Sequence, residues 1–176
     1  MKNKYKLLTV IVLLFAFLGY AFFQESNDQK TAKTPTVGIL QLMSHPALDK
    51  IHRGILHGLE EGGYHPGKNV KIDFQNAQND QSNLKTMSTK FANENADLSI
   101  GIATPSAQAL ANTINNKPIL LGAITDPKGA GLVKNNRRPG GNITGVSDQA
   151  PLKEQLGLIK QFMPKMKTLG IIYTSS

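Results

Sequence analysis

The chain has 176 residues, of which 40% are hydrophobic and 18% are charged, with a formal net charge of +8 and no cysteine. This composition is typical of a globular protein and argues against collagen-like, disordered and coiled-coil classes. Without cysteine the chain can hold no disulfide framework, zinc finger, iron–sulfur cluster or thiol nucleophile.

The positive charge does not predict a nucleic-acid partner. Beyond residue 33 the only close basic cluster is Lys134, Arg137 and Arg138, which lies beside Pro and Gly residues and has no aromatic residue near it to stack on bases. Nucleic-acid-binding proteins usually combine a basic stripe with an element that reads the bases. We therefore interpret this cluster as a solvated basic loop and expect no nucleic-acid partner.

The N-terminal segment, residues 1–33, has the pattern of an export signal. Three lysines within the first six residues precede an uncharged apolar run at residues 7–23, and a polar run follows it. A helix of this length spans about 25 Å, slightly less than a hydrocarbon core of about 30 Å, so a cleaved signal and a retained anchor are both open. Gly19 and Ala21 form a poor cleavage site, which favours an anchor in the membrane. The positive N-terminal side places the rest of the chain outside the cytoplasm.

The first predicted strand and helix of the exported part lie between residues 37 and 63. Residues 37–42 form a short apolar run of the kind found in buried strands. Apolar side chains then recur at intervals of three or four residues on one helix face, at Leu48, Ile51, Ile55 and Leu59. Ser44 is placed to cap this helix, Pro46 suits its first turn, and Gly62 and Gly63 end it.

The same alternation continues to the end of the chain. Residues 70–74 predict a second strand, and Asp80 opens a helix that closes near Asn95, with its buried face at Leu84, Met87 and Phe91. Further strands are predicted at residues 98–103, 119–124, 143–146 and 169–173, and further helices at residues 106–114 and 152–163. Strands that alternate with helices predict an α/β fold, in which a parallel sheet is flanked by helices on both faces.

Candidate ligand contacts follow the predicted strands. In a parallel sheet ligands bind beyond the carboxyl ends of the strands. Polar residues cluster at four of those ends, at Gln41, Ser44, His45, Thr104, Ser106, Thr125, Asp126, Ser147 and Asp148. Thr104 before Pro105 predicts an N-cap with free backbone N–H groups behind it, which suits a carboxylate or phosphate. Asp126 and Asp148 could meet an ammonium group.

The sequence contains partial matches to catalytic motifs, but each lacks a required residue or the required neighbouring element. Residues 62–68 satisfy the first part of a phosphate-binding P-loop, but Asn69 replaces the required Ser or Thr and the segment follows a helix. The four histidines lack the spacing and the acidic partners of a zinc site. No Gly-x-Ser-x-Gly elbow presents a nucleophile. We therefore expect no enzyme activity, no metal and no cofactor.

Two longer motifs resemble a known family. DPKGAGLV at residues 126–133 and RPGGNITGVS at residues 138–147 strongly resemble the signature of tryptophan/tyrosine-type ABC transporter substrate-binding proteins. Further blocks look like the family's in the same order, at residues 37–39, 45–49, 63–70, 103–108 and 173–176. The resemblance covers residues 34–176.

The resemblance implies a type I periplasmic-binding-protein fold, in which two α/β lobes close on a small ligand. The ligand, typically an amino acid and often an aromatic one, is delivered to a membrane permease driven by a cytoplasmic ATPase. Its carboxylate would be held by Thr104, Ser106 and the Ala107 amide, and its ammonium group by Asp126 or Asp148. Two residues of the first strand end would line the side-chain pocket, Gln41 and His45.

The chain departs from the family in its length. Residues 34–167 would form the N-terminal lobe, and residues 168–176 would only begin the second. We therefore expect that the second lobe is largely missing, through natural truncation or because the sequence is a fragment. Two other functions stay open: an exported sensory ligand-binding domain, which differs only in its partner, and an exported α/β hydrolase that uses Asp126 or Ser106 as nucleophile.

Overall fold

The computed structural model describes residues 33–172 together with Leu13, Ala16 and Phe17. Most of the predicted export segment, and Tyr173 of the last predicted strand, lie outside the described residues. In the part of the chain that is described, no helix has the length and apolar character needed to cross a membrane. The chain divides into two units, Met1–Pro35 and Thr36–Ser176; the predicted domain boundaries at residues 33 and 167 stay predictions.

The second unit contains five strands and four helices in its described residues. The strands are β1 (Thr36–Gln41), β2 (Lys71–Asn76), β3 (Leu98–Ile102), β4 (Ile119–Gly122) and β5 (Ile143–Val146). The helices are α1 (Pro46–Glu61), α2 (Gln81–Asn93), α3 (Thr104–Thr113) and α4 (Leu152–Phe162). Each of these elements was predicted from the sequence, with bounds that differ by one or two residues.

All five strands are parallel, and their order in the sheet is β2-β1-β3-β4-β5. The register aligns the last residues of four strands in one row, Gln41, Ile102, Gly122 and Val146. The loops that follow these strands therefore leave the sheet from a single edge, as the α/β fold predicts.

Helices cover both faces of the sheet. On one face Val37 and Ile39 pack with Ile51 and Ile55 of α1. On the other face Leu40 packs in a cluster that includes the apolar side chains of α2 and α3, among them Leu84, Phe91 and Leu110. Successive strand residues point to opposite faces, so β1 contributes to both clusters. The prediction of a sheet flanked on both sides is confirmed.

Of two N-caps predicted for α1 and α2, one is confirmed and one is wrong. Asp80 caps α2 as predicted, because its Oδ1 accepts from the Asn83 amide at 2.8 Å. The predicted cap Ser44 is wrong: His45 occupies the N-cap of α1, and its Nδ1 accepts from the Ala47 amide at 3.2 Å. Ser44 Oγ instead accepts from Asn76 Nδ2 at 2.9 Å, which ties the loop after β1 to the end of β2.

The C-terminal part of the described chain does not join the core. No residue of α4 is buried. Large apolar side chains are exposed in this region, at Val146, Leu152, Leu156, Leu158, Phe162, Met163, Leu169, Ile171 and Ile172. The strand predicted at residues 169–173 is absent from its described part, residues 169–172. A strand needs a neighbour to accept its backbone hydrogen bonds, and none of the described strands lies beside this run.

Candidate ligand-binding site

The strand order places a crevice between β1 and β3. The chain leaves β1 on one side of the sheet to form β2, and it returns on the other side of β1 to form β3. The loop after β1 leads into α1 on one face, and the loop after β3 leads into α3 on the other. In open α/β sheets such a topological switch point is the place where ligands bind.

The start of α3 is the most unusual backbone at this edge. Ala103 stands at its N-cap with φ 75° and ψ 154°, a region populated almost entirely by glycine. The predicted cap Thr104 is therefore wrong: Thr104 is the first helical residue and Pro105 the second. Strain of this kind, of order 1–3 kcal/mol, persists only where the surroundings enforce it, and it concentrates at functional sites.

The first turn of α3 offers two backbone donors. Pro105 has no N–H, and the Ala107 amide already donates to the Ala103 carbonyl at 3.2 Å. The amides of Thr104 and Ser106 remain, because the first N–H groups of a helix have no acceptor within it. The ligand contact predicted for the Ala107 amide does not fit this geometry, since its N–H already donates to the Ala103 carbonyl inside the helix.

Because Gly101 has no side chain, the first turn of α3 packs directly against β3. A Cβ atom at Gly101 would come within 2.7 Å of Ala107 Cα and 2.8 Å of Ala107 N. Any side chain at this position of β3 would push the first turn of α3 away. The position of the two free amides is therefore set by a backbone contact.

The end of β1 carries a buried side-chain amide, that of Gln41. Gln41 is fully buried, and its Nε2 donates to Asp49 Oδ1 at 2.7 Å and to Met43 O at 2.8 Å. Its Oε1 has no hydrogen-bond partner within the described residues. Asp49 lies in the first turn of α1. Sequence reasoning missed this residue, since only the fold brings it to Gln41.

Ser106 is the second buried polar residue of the crevice without a complete set of partners. Its Oγ is buried, and no described residue hydrogen-bonds it. A buried polar group that is left unpaired costs about 1–3 kcal/mol, so such a group calls for an explanation such as a ligand or an ordered water. Thus two of the residues predicted from the sequence, Gln41 and Ser106, carry unmet hydrogen-bonding capacity at the switch point.

The ends of β4 and β5 bring the remaining predicted residues to the same edge. Their pairing continues past the strands, since the Asp148 amide donates to the Ile124 carbonyl at 3.3 Å. Ser147 Oγ donates to the Thr125 carbonyl at 3.0 Å. Thr125, Asp126, Ser147 and Asp148 are all exposed.

One oxygen of Asp126 is already engaged in its own loop. Its Oδ1 accepts from the Gly129 amide at 2.9 Å. A Cβ at Gly129 would clash with Asp126 Oδ2, so this orientation of the carboxylate needs a glycine there. One carboxylate oxygen of Asp126 therefore stabilises its own loop, and only Oδ2 takes no part in that hydrogen bond.

A cavity formed by the described residues lies away from Gln41 and Thr104. It has a volume of about 840 Å³ and runs along α2 and α3, between residues such as Leu84, Ser88, Gln108 and Leu132. The described residues contain no group of three or more side chains that could hold a metal ion.

A histidine in α1 has a pKa that its surroundings shift. The His52 ring stacks on Phe74 of β2, with centroids 4.0 Å apart and planes 7° from parallel. Burial lowers the pKa of His52 below its usual value, and the nearby Arg53 lowers it further, while Asp49 opposes the shift. His52 is therefore held in its neutral form.

The fold is an α/β fold with a topological switch point between β1 and β3, and comparison with known proteins gives the family of the chain. Residues 36–176 match the family of ABC transporter substrate binding proteins, and the chain belongs to that family. This confirms the resemblance found in the motifs. A family of substrate-binding proteins is not one of enzymes, which agrees with the prediction of no catalytic function.

The relatives are longer than this chain. A tyrosine-binding protein from Clostridioides difficile (strain R20291) is 46% identical over 154 residues, which are 86% of this chain and 45% of that protein. The chain thus spans about half the length of its curated relative.

Solved structures of related proteins have the same fold, and this chain again covers less than half of each of them. A conserved domain protein from Vibrio cholerae is 43% identical, with a TM-score of 0.72 over 76% of this chain and 45% of that one. The structure of an ABC domain in complex with L-Trp from Streptococcus pneumonia is 49% identical, with a TM-score of 0.71 over 75% of this chain and 44% of that one.

Proposed function

We propose that this chain provides one wall of the substrate site of an ABC importer and binds an α-amino acid, preferably an aromatic one. The ligand's carboxylate is bound at the start of α3 by the amides of Thr104 and Ser106 and by their hydroxyl groups. The observation that carries this proposal is the strained helix start at the switch point, which presents free donors to an anion. Relatives that bind tyrosine and L-Trp support the ligand class.

The ligand is delivered to a membrane permease that is driven by a cytoplasmic ATPase, in keeping with the family. Residues 1–33 bring the protein to the outer side of the cell membrane, as a retained anchor or as a cleaved signal. The exposed rim residues His45, Asp126 and Asp148 contact the ligand at the open side of the crevice. A second α/β lobe, of the kind that the relatives' greater length provides, closes the site.

Thermal unfolding of the full chain in mild detergent, with each of the twenty amino acids in turn, tests this proposal. A ligand present at one hundred times its dissociation constant adds roughly 2.7 kcal/mol to the stability of the folded state. We expect tryptophan, tyrosine or phenylalanine to raise the unfolding temperature and glutamate or lysine to leave it unchanged. No response to any amino acid would refute the proposal that this chain binds the ligand by its own wall of the site.

A further inference from the structure

We infer that three apolar residues at the carboxyl edge of the sheet, Ala103, Ala123 and Val146, form the subsite for the ligand's aromatic ring. The inference rests on the proposed function and deepens it, because it states which side chains select an aromatic amino acid. Sequence reasoning assigned the side-chain pocket to Gln41 and His45 and named none of these three residues as a ligand contact.

The three residues lie side by side at the ends of three successive strands, β3, β4 and β5. The register pairs Ile102 with Gly122 and Gly122 with Val146. Ala103 and Ala123 directly follow Ile102 and Gly122, and the Ala103 amide donates to the Gly122 carbonyl at 3.4 Å. Because neighbouring strands lie about 4.8 Å apart, this apolar row spans about 10 Å, enough for an aromatic side chain to lie along it.

The apolar row is accessible from the surface, whereas its neighbours in the chain are buried. Ala103 and Ala123 are partly exposed, and Val146 is 69% exposed. Ile102 and Ile124, which flank the two alanines, are fully buried. A ligand at this edge of the sheet can therefore contact the apolar row without any opening of the core.

The backbone of the two alanines is strained in the same way. Ala103 has φ 75° and Ala123 has φ 59°, a region that glycine adopts freely and that a residue with a Cβ atom adopts rarely. Glycine at either position would relieve the strain and remove a methyl group. Strained residues concentrate at ligand sites, and contact with an aromatic ring gives these two methyl groups a role that offsets the strain.

The apolar row begins beside the donors that bind the ligand's carboxylate in the proposed function. Ala103 immediately precedes Thr104, the first residue of α3, so a ligand held there has its side chain within reach of the row. The other exposed residues at the ends of β4 and β5 are polar, namely Thr125, Asp126, Ser147 and Asp148. An aromatic ring gains free energy when it covers apolar surface, so the row favours an aromatic amino acid over a small one.

The test compares L-tryptophan with L-alanine, which has the same amino and carboxyl groups but no ring. Dissociation constants are measured by NMR titration of the full chain, and the quantity of interest is their ratio. The wild type should prefer L-tryptophan by roughly tenfold or more. Ala103→Gly and Ala123→Gly should each weaken L-tryptophan binding by about two- to fourfold, with little effect on L-alanine. Val146→Thr, which replaces a methyl group by a hydroxyl group, should have a similar effect.

Thermal unfolding of the same samples separates ligand contact from packing within the protein. Both alanine-to-glycine substitutions should raise the unfolding temperature because they relieve a positive φ, so stability and affinity should change in opposite directions. Asn95→Gly is the matched control. Asn95 also has a positive φ, 54°, but it lies between α2 and the start of β3, and its replacement should leave both affinities unchanged.

The outcomes are distinct. Should the variants of Ala103, Ala123 and Val146 keep the wild-type ratio, the row does not contact the ring and the inference is overturned, while a wild-type preference for L-tryptophan leaves the proposed function standing. A ratio that stays constant while both glycine variants lose stability shows that the methyl groups pack within the protein, and it also overturns the inference. Absence of any amino-acid binding to the wild type refutes the proposed function and the inference together.

Discussion

Replacing Gly101 by alanine should destabilise the protein and weaken ligand binding together. The new Cβ would lie 2.7 Å from Ala107 Cα, and ordinary contact begins at 3.4 Å, so α3 must move by at least about 0.7 Å. Overpacking of this kind costs about 1–3 kcal/mol, which is a drop of roughly 3–10 °C for a domain of this size. Displacement of the Thr104 and Ser106 amides by more than about 0.5 Å should also weaken L-tryptophan binding several-fold.

The measurement is thermal unfolding followed by circular dichroism, with binding measured on the same samples. Gly54→Ala is the matched control, because no atom lies within 4 Å of a Cβ at that position in α1. A glycine-to-alanine change inside an exposed helix should stabilise the protein by about 0.5–1 kcal/mol. Gly101→Ala should therefore lower the unfolding temperature, and Gly54→Ala should raise it. An unfolding temperature of Gly101→Ala equal to that of the wild type would refute the proposed contact between β3 and α3.

Three further predictions concern the site's backbone, its histidine and the C-terminal helix. Ala103→Gly should raise the free energy of unfolding by about 1 kcal/mol in urea titrations, because it removes a strained conformation; a loss of stability would contradict this. The pKa of His52 is lowered in the folded state, so its contribution to stability is present above pH 6.5 and is lost as the pH falls through the folded-state pKa. Urea midpoints at pH 7.5 and 5.0 should differ less in His52→Phe than in the wild type, and His65→Gln, a control at an exposed position, should keep the full difference. Phe162→Ala should change stability by less than about 0.5 kcal/mol, whereas Phe91→Ala in the core should cost about 3–5 kcal/mol; equal costs would show that α4 packs on the sheet.

The sheet and its flanking helices were predictable because apolar periodicity is a local signal. Runs such as residues 37–42 and the repeated face of α1 identify a strand or a helix without knowledge of the partner. The last predicted strand is absent over its described residues, 169–172, for the same reason. An apolar run forms a strand only beside another strand, and its composition does not reveal whether a neighbour is present.

The candidate site was predictable only in part. The sequence predicted that Gln41, Thr104 and Ser106 lie at the carboxyl edge of the sheet, and the structure places them there; that a ligand binds at this edge stays a prediction. The hydrogen bond between Gln41 and Asp49 was not predictable, because it depends on how α1 packs over β1. The helix start at Ala103 was missed as well, since alanine carries no sequence signal for a positive φ.

The most direct test of the site is an NMR titration of the ¹⁵N-labelled full chain with L-tryptophan. We expect the largest amide shifts at Thr104 and Ser106 and at the loop between β1 and α1, including His45. Shifts confined to the cavity along α2 and α3, at Ser88 and Leu132, or no shifts at millimolar ligand, would contradict an amino-acid site at the switch point between β1 and β3.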